Sequence, residues 1–251
     1  MPQEYQLIHL TAADLKQRAM KAPAILLPLA SIETLGTHGP VGLDYSVAQA
    51  VTPYIAQRTG CIAAPTIPYG DTMEFCGMEG TIHIPPDILE SYCYATASSL
   101  LRTCGARAVV FLNFHGLNGA ASAAVCRRLK SEELESATVD WWGAVGEHGK
   151  DLLDDQENGR GHGAEMITSV ALAINEQSVH LDRASCETPL PALQAVNRWN
   201  KTPFRTFGNF PAYCKSGAWG DISGASAEKG RKLIAGGIEA ISQFILEAFG
   251  A

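Results

Sequence analysis

Between residues 31 and 44 the chain reads SIETLGTHGPVGLD, and Glu33, His38 and Asp44 within it are side chains of the kinds that bind divalent cations. Two further stretches share this character. NFHGLNG (113–119) carries Asn113, His115 and Asn118, and GRGHGAEMITS (159–169) carries His162 and Glu165. Imidazole nitrogen and carboxylate oxygen together suit borderline ions such as Zn²⁺, Mn²⁺ or Fe²⁺. An ion held in this way, with positions left open, acidifies water and polarises a carbonyl, which is the chemistry of metal-assisted hydrolysis. His38 and His162 add groups that exchange protons near neutral pH. Each stretch also has a plainer reading. Asp44 can cap the helix that follows it, and His115, between Phe114 and Gly116, can be an ordinary buried histidine.

What lifts the three stretches above coincidence is the elements before them. AILLPLA (24–30), CIAAPTIPYG (61–70), ARAVVFLNF (106–114) and ATVDWWGAV (137–145) are apolar without polar alternation, which predicts strands buried on both faces. Helical spacing runs through 46–60, 85–105 and 118–134, with a fourth helix expected from about His162 and a fifth from Ala225 to the C-terminus. Prolines near 85 and Gly105 punctuate the second helix. Asn118 stands where the N-cap of the third belongs, and Arg127, Arg128 and Lys130 lie toward its C-terminal end. This alternation predicts one α/β domain over 1–251, with a mostly parallel sheet covered by helices on both faces. Ligands bind such sheets at the carboxyl ends of the strands, and the three polar stretches follow apolar runs in that way. The region 183–218 has mixed patterning and is expected to be loop-rich.

Composition narrows the remaining choices. A formal charge of −7 over 251 residues offers no basic footprint for nucleic acid. No apolar run reaches the roughly 18 residues that cross a bilayer, and the first residues lack the basic-then-apolar pattern of a secretory signal. Seven cysteines, none spaced as CxxC, predict reduced thiols and a cytoplasmic location. Nucleophile-elbow, phosphate-loop and dinucleotide-binding motifs are absent.

The polar stretches also resemble the signatures of the creatininase (creatinine amidohydrolase) family. ASIETLGTHGPVGLD (30–44) is similar to G-S-x-E-Q-H-G-x-H-L-P-L-x-x-D, NFHGLN (113–118) to N-G-H-G-G-N, and HGAEMITS (162–169) to H-A-G-x-x-E-T-S. EGTIHI (79–84) and GDISGASAEKGRKLI (220–234) resemble two further family segments in the right order. The resemblance implies a three-layer α/β/α sandwich, often assembled as a hexamer. It implies a binuclear metal centre that hydrolyses C–N bonds of small, polar cyclic amides or formamides. Glu33, Asp44 and His115 match the ligands of one Zn²⁺, Mn²⁺ or Fe²⁺, with Asp44 at the bridging position. His38 matches the second histidine of the first signature, His162 the histidine lining the substrate pocket, and Asn118 the asparagine opening the helix. Where the family holds a second ion, this chain has Leu35, Leu117 and Ile167.

Glu165, two residues before Ile167, is a further metal ligand if its helix begins after it, and otherwise a first-turn glutamate favoured by the helix dipole. His148, in EHGKD (147–151), is a replacement ligand or an exposed loop histidine. Trp141, Trp142 and Trp219 line a pocket for a flat ring or belong to the core. Glu74 and Glu79, in MEFCGMEGT (73–81), reach the site from a neighbouring loop or stay outside it. Two other activities fit the same residues: single-ion ring opening or isomerisation of a cyclic ketone or keto sugar, and a metal-free binding or assembly role. Two buried carboxylates with no cation would be costly, which argues against the last.

Overall fold

The structure, a computed structural model, describes residues 2–187 and 214–250. Four parallel strands, β1 (Ile25–Leu29), β2 (Ile62–Ala63), β3 (Ala108–Asn113) and β4 (Glu135–Asp140), pair in the order β2-β1-β3-β4. Parallel neighbours cannot be joined by a tight turn, so helices make the crossovers. The crossovers are α2 (Leu43–Thr59), α3 (Pro86–Thr103) and α4 (Asn118–Ser131); α1 (Ala12–Ala19) precedes β1, and α5 (Trp141–His148), α6 (Glu165–Asn175) and α7 (Ala227–Phe249) follow β4.

Alternate side chains of the central strands point to opposite faces and build two cores. Leu26, Val110 and Leu112 pack under α2, α5, α6 and α7, while Ile25, Leu27, Leu29, Val109 and Phe111 pack against α3 and α4. The result is the α/β/α sandwich with a parallel central sheet that the resemblance implied. Leu29 pairs with Asn113, which in turn pairs with Asp140, so three strands end level at one edge. From that edge emerge the segments that carry Glu33, His115 and Trp142. No helix among the described residues is long and apolar enough to cross a membrane.

Three expectations need correction. The fourth strand was expected over 137–145 but spans Glu135–Asp140, and the apolar run after it is α5. β4 lies at the sheet edge and is half-exposed, so it lacks the apolar signal. Trp141 and Val145, one helical turn apart, bury the inner face of α5. The second strand shrinks to two residues because Pro65 and Pro68 bring no N–H to a ladder; an isolated bridge from Leu29 to Ile67 is what continues it. Asn118 is the first residue of α4 rather than its cap. Its Nδ2 donates to the Ala30 carbonyl at 3.0 Å, and its Oδ1 accepts from the Asp71 amide at 2.9 Å. Gly70 makes room for this: a Cβ there would lie 2.3 Å from Asn118 Oδ1. Most of the expected loop-rich region 183–218 lies outside the described residues.

All seven cysteines are free thiols. Burial pushes the Cys93 thiol up to about 12, whereas Cys76 is exposed. In the folded protein at pH 8, Cys76 is therefore expected to alkylate readily while Cys93 stays unmodified. Mass spectrometry of the labelled peptides before and after denaturation checks this.

Candidate metal centre

After β1 the chain turns back on itself within a dozen residues. The Glu33 amide donates to the Val41 carbonyl at 2.9 Å, closing a loop whose turn passes through Gly36 at φ +65°. That left-handed backbone suits glycine, and a Cβ would also lie 2.6 Å from the Ala218 Cβ. The loop leads directly into α2, whose first turn holds Asp44. Glu33 and Asp44 thus converge from eleven residues apart, and His115 meets them from just beyond the end of β3.

His115 Nδ1 lies 3.2 Å from Glu33 Oε1 and 3.4 Å from Asp44 Oδ2, and all three residues are buried. Ser31 Oγ donates to Asp44 Oδ2 at 2.8 Å. Trp142 Nε1 is shared between Asp44 Oδ1 at 3.1 Å and the Phe114 carbonyl at 2.7 Å, so the aspartate is oriented from both sides. Glu33 Oε2 and His115 Nε2 are buried without a hydrogen-bond partner. Donors bound about 2.1 Å from one ion sit roughly 3.0–3.4 Å from each other, which is the spacing around His115 Nδ1. The donor set therefore fits a Zn²⁺- or Mn²⁺-type cation. Among the described residues it is the one group of three such donors.

Without an ion, a proton takes that place. Burial is the largest influence on His115 and lowers its pKa. The Glu33 and Asp44 carboxylates together outweigh it and hold the imidazole well above its ordinary range. Burial likewise raises the Asp44 carboxyl, a shift the His115 hydrogen bond only partly offsets. The protonated histidine stabilises the ion-free fold at and below neutral pH, and that stabilisation fades as pH rises through the raised pKa. Ion binding is expected to strengthen over the same interval and to release a proton near pH 7. Calorimetric titration with Zn²⁺ or Mn²⁺ in buffers of differing ionisation enthalpy measures that release.

The three side chains form one end of a cavity of about 470 Å³, within the ordinary range for small-molecule sites. His162 also lines it, its ring stacked between Phe75 (4.4 Å between centroids) and Trp219 (5.6 Å), and its Nε2 donates to the Thr34 carbonyl at 2.9 Å. Leu35, Leu117 and Ile167 make an apolar wall beside the donor cluster. Of the tryptophans, Trp142 and Trp219 face the cavity, and Trp141 is fully buried in the core.

Two of the expected site residues lie elsewhere. His38 is buried away from the cavity. Its Nε2 lies 3.1 Å from the Gly163 carbonyl and 3.0 Å from Thr168 Oγ1, and burial lowers its pKa. It braces the turn that carries His162 and does not reach the site as a proton carrier. Glu165 is outside the donor cluster because α6 begins at Glu165 itself. Its carboxylate pairs with Lys229 of α7 and accepts the Asp154 amide at 3.0–3.1 Å. His148 is exposed and bonded to its own helix at the Ala144 carbonyl.

The structure also settles Glu74, which lines the cavity while Glu79 does not, and adds a residue the sequence did not single out. Glu74 reaches it from a single 3₁₀ turn (Met73–Phe75); burial raises its carboxyl, and His115 pulls it back. Arg160 reaches it from another such turn (Asn158–Arg160). Each sits alone in an irregular segment with no periodicity to mark it.

Residues 8–245 match the family model for creatinine amidohydrolase. A mycofactocin precursor peptide peptidase of Mycobacterium ulcerans (strain Agy99) is 31% identical over 222 residues, covering 85% of this chain and 80% of that protein. A 3-dehydro-scyllo-inosose hydrolase of Thermotoga maritima is 24% identical over 257 residues, covering 94% and 79%. Among solved structures, one described as "Creatininase Mn" superposes with a TM-score of 0.78 at 22% identity, covering 98% of this chain and 99% of that one.

Proposed function

The chain belongs to the creatininase family, and from that premise we propose that it hydrolyses the C–N bond of an amide with one divalent ion held by Glu33, Asp44 and His115. The family is one of metal-dependent hydrolases. The observation that carries the reading is the convergence of these three buried donors at one end of an open cavity. The substrates that fit are a small cyclic amide, a formamide or the amide at the end of a peptide, the last suggested by the peptidase relative.

A Zn²⁺ or Mn²⁺ ion bound there supplies Lewis acidity toward the amide carbonyl and acidifies water. The chain's own residues do the rest. Ser31 and Trp142 fix Asp44 in its ligating orientation. His162 Nε2–H is committed to the Thr34 carbonyl, which leaves Nδ1 to take a proton from water and return it to the departing nitrogen. Phe75 and Trp219 hold that ring flat from both sides. Leu35, Leu117 and Ile167 provide no lone pairs, so the wall beside the first ion offers apolar contact where relatives would offer further ligands.

Elemental analysis of protein purified without chelators, with a panel of amides scored for released amine, tests this reading. About one ion per chain with amine release supports it, and absence of both sinks it. A second reading rests on the same apolar wall and on the hydrolase of 3-dehydro-scyllo-inosose among the relatives: a single ion opening a ring ketone by C–C cleavage. That activity yields a ring-opened carboxylate and no amine, so the two are separated by product.

A further inference from the structure

One permanently charged cation lines the cavity among the described residues, and it is Arg160. Its side chain makes no ion pair or hydrogen bond with any described residue, although Glu33, Asp44 and Glu74 line the same space. Of the other arginines, Arg58 pairs with Glu239 and Arg102 and Arg128 with Glu132, all on the outer surface, so Arg160 is set apart by lining the cavity. The Arg160 guanidinium instead lies over α5. A Cβ added to Gly146 would come within 4.0 Å of its Nη1 and 3.5 Å of Met166 Sδ. Gly146 thus leaves the guanidinium room over the helix whose Trp142 holds Asp44.

We infer that Arg160 receives a carboxylate on the substrate, so that the compound cleaved is an acylated amino acid or a peptide end with a free carboxyl group. This rests on the amide-hydrolase reading and names its substrate class. A guanidinium presents a planar pair of N–H donors that matches a carboxylate two-on-two, and it stays charged at every working pH. With two of the three lining carboxylates committed to the ion, an unpaired guanidinium within the same cavity favours an anionic ligand. The apolar wall of Leu35, Leu117 and Ile167 suits an aliphatic side chain on that ligand. A neutral ring ketone would leave Arg160 unused.

The test compares N-formyl-leucine with N-formyl-leucinamide, which differ only in the carboxylate, on the Zn²⁺- or Mn²⁺-loaded protein and on its Arg160→Leu and Arg160→Lys variants. Both hydrolysis and calorimetric binding are read. Wild type is expected to prefer the acid about 10- to 100-fold in KM and Kd, Arg160→Leu to lose the preference, and Arg160→Lys to keep part of it. If acid and amide are cleaved equally well, hydrolysis stands and the role of Arg160 falls. If neither is cleaved but the acid binds more tightly in an Arg160-dependent way, the anion site stands and the hydrolase reading falls. A preference that persists unchanged in Arg160→Leu places the carboxylate on the ion and overturns the inference, as does the absence of any preference in binding.

Discussion

Glu33→Gln is expected to empty the metal centre and lower amide hydrolysis by at least about 10³-fold. Gln keeps the shape of the side chain but removes one of two anionic donors, and the Oε2 of Glu33 has no hydrogen bond to lose. An ion in such a site contributes several kcal/mol of charge stabilisation to the reacting carbonyl. About 4 kcal/mol corresponds to three decades of rate. Thermal unfolding with and without the ion supplies an independent readout. At a hundredfold excess of ion over Kd the wild type gains roughly 2.7 kcal/mol, or about 5–10 °C for a chain near this size. Glu33→Gln should show no such gain, and its ion-free transition should fall because the buried Glu33–His115 pair is lost. A variant that retains one ion per chain, or hydrolyses amides within tenfold of wild type, would remove Glu33 from the centre.

The second large effect concerns stability alone. Glu165 is 1% exposed, and its charge is met by Lys229, which Asp154 also binds at 2.7 Å. Breaking a buried pair from one side strands the other charge at a cost of about 3–5 kcal/mol. Lys229 is itself partly exposed, so Lys229→Met is expected near the lower end, a fall in Tm of roughly 6–12 °C. Adding Glu165→Gln to Lys229→Met should recover most of the loss, because no buried charge then remains. Ion content should be unchanged in both variants. Loss of the ion with Glu165→Gln alone would return this carboxylate to the metal centre.

Those two glutamates show what a sequence can and cannot tell. Glu33 was legible because its partner Asp44 lies in the same short glycine-rich loop, at the end of a strand that is apolar throughout. The same continuous burial marked β1 and β3. Glu165 stood in an equally suggestive stretch, yet its fate depended on Lys229, sixty-four residues away on another helix, and on which residue begins α6. β4 was misplaced because an edge strand with half-exposed residues is quieter than the apolar helix after it. His38 shares the first loop with the two carboxylates but faces the opposite way, toward Gly163, and spacing alone does not distinguish the two sides of a turn. Arg160 and Glu74 reach the cavity from isolated 3₁₀ turns, where no pattern repeats.

Asn118 has a bearing on time as well as on shape. Its single amide group joins the backbone after β1, at Ala30, to the backbone beyond β2, at Asp71, and it stands three residues from His115. Loops that flank many active sites drift independently and close over a substrate on the microsecond-to-millisecond scale. Here the segments leaving β1 and β2 are hydrogen-bonded to one buried side chain on the helix that follows His115. The donors are preset before any substrate arrives, and little ordering entropy is lost when it does.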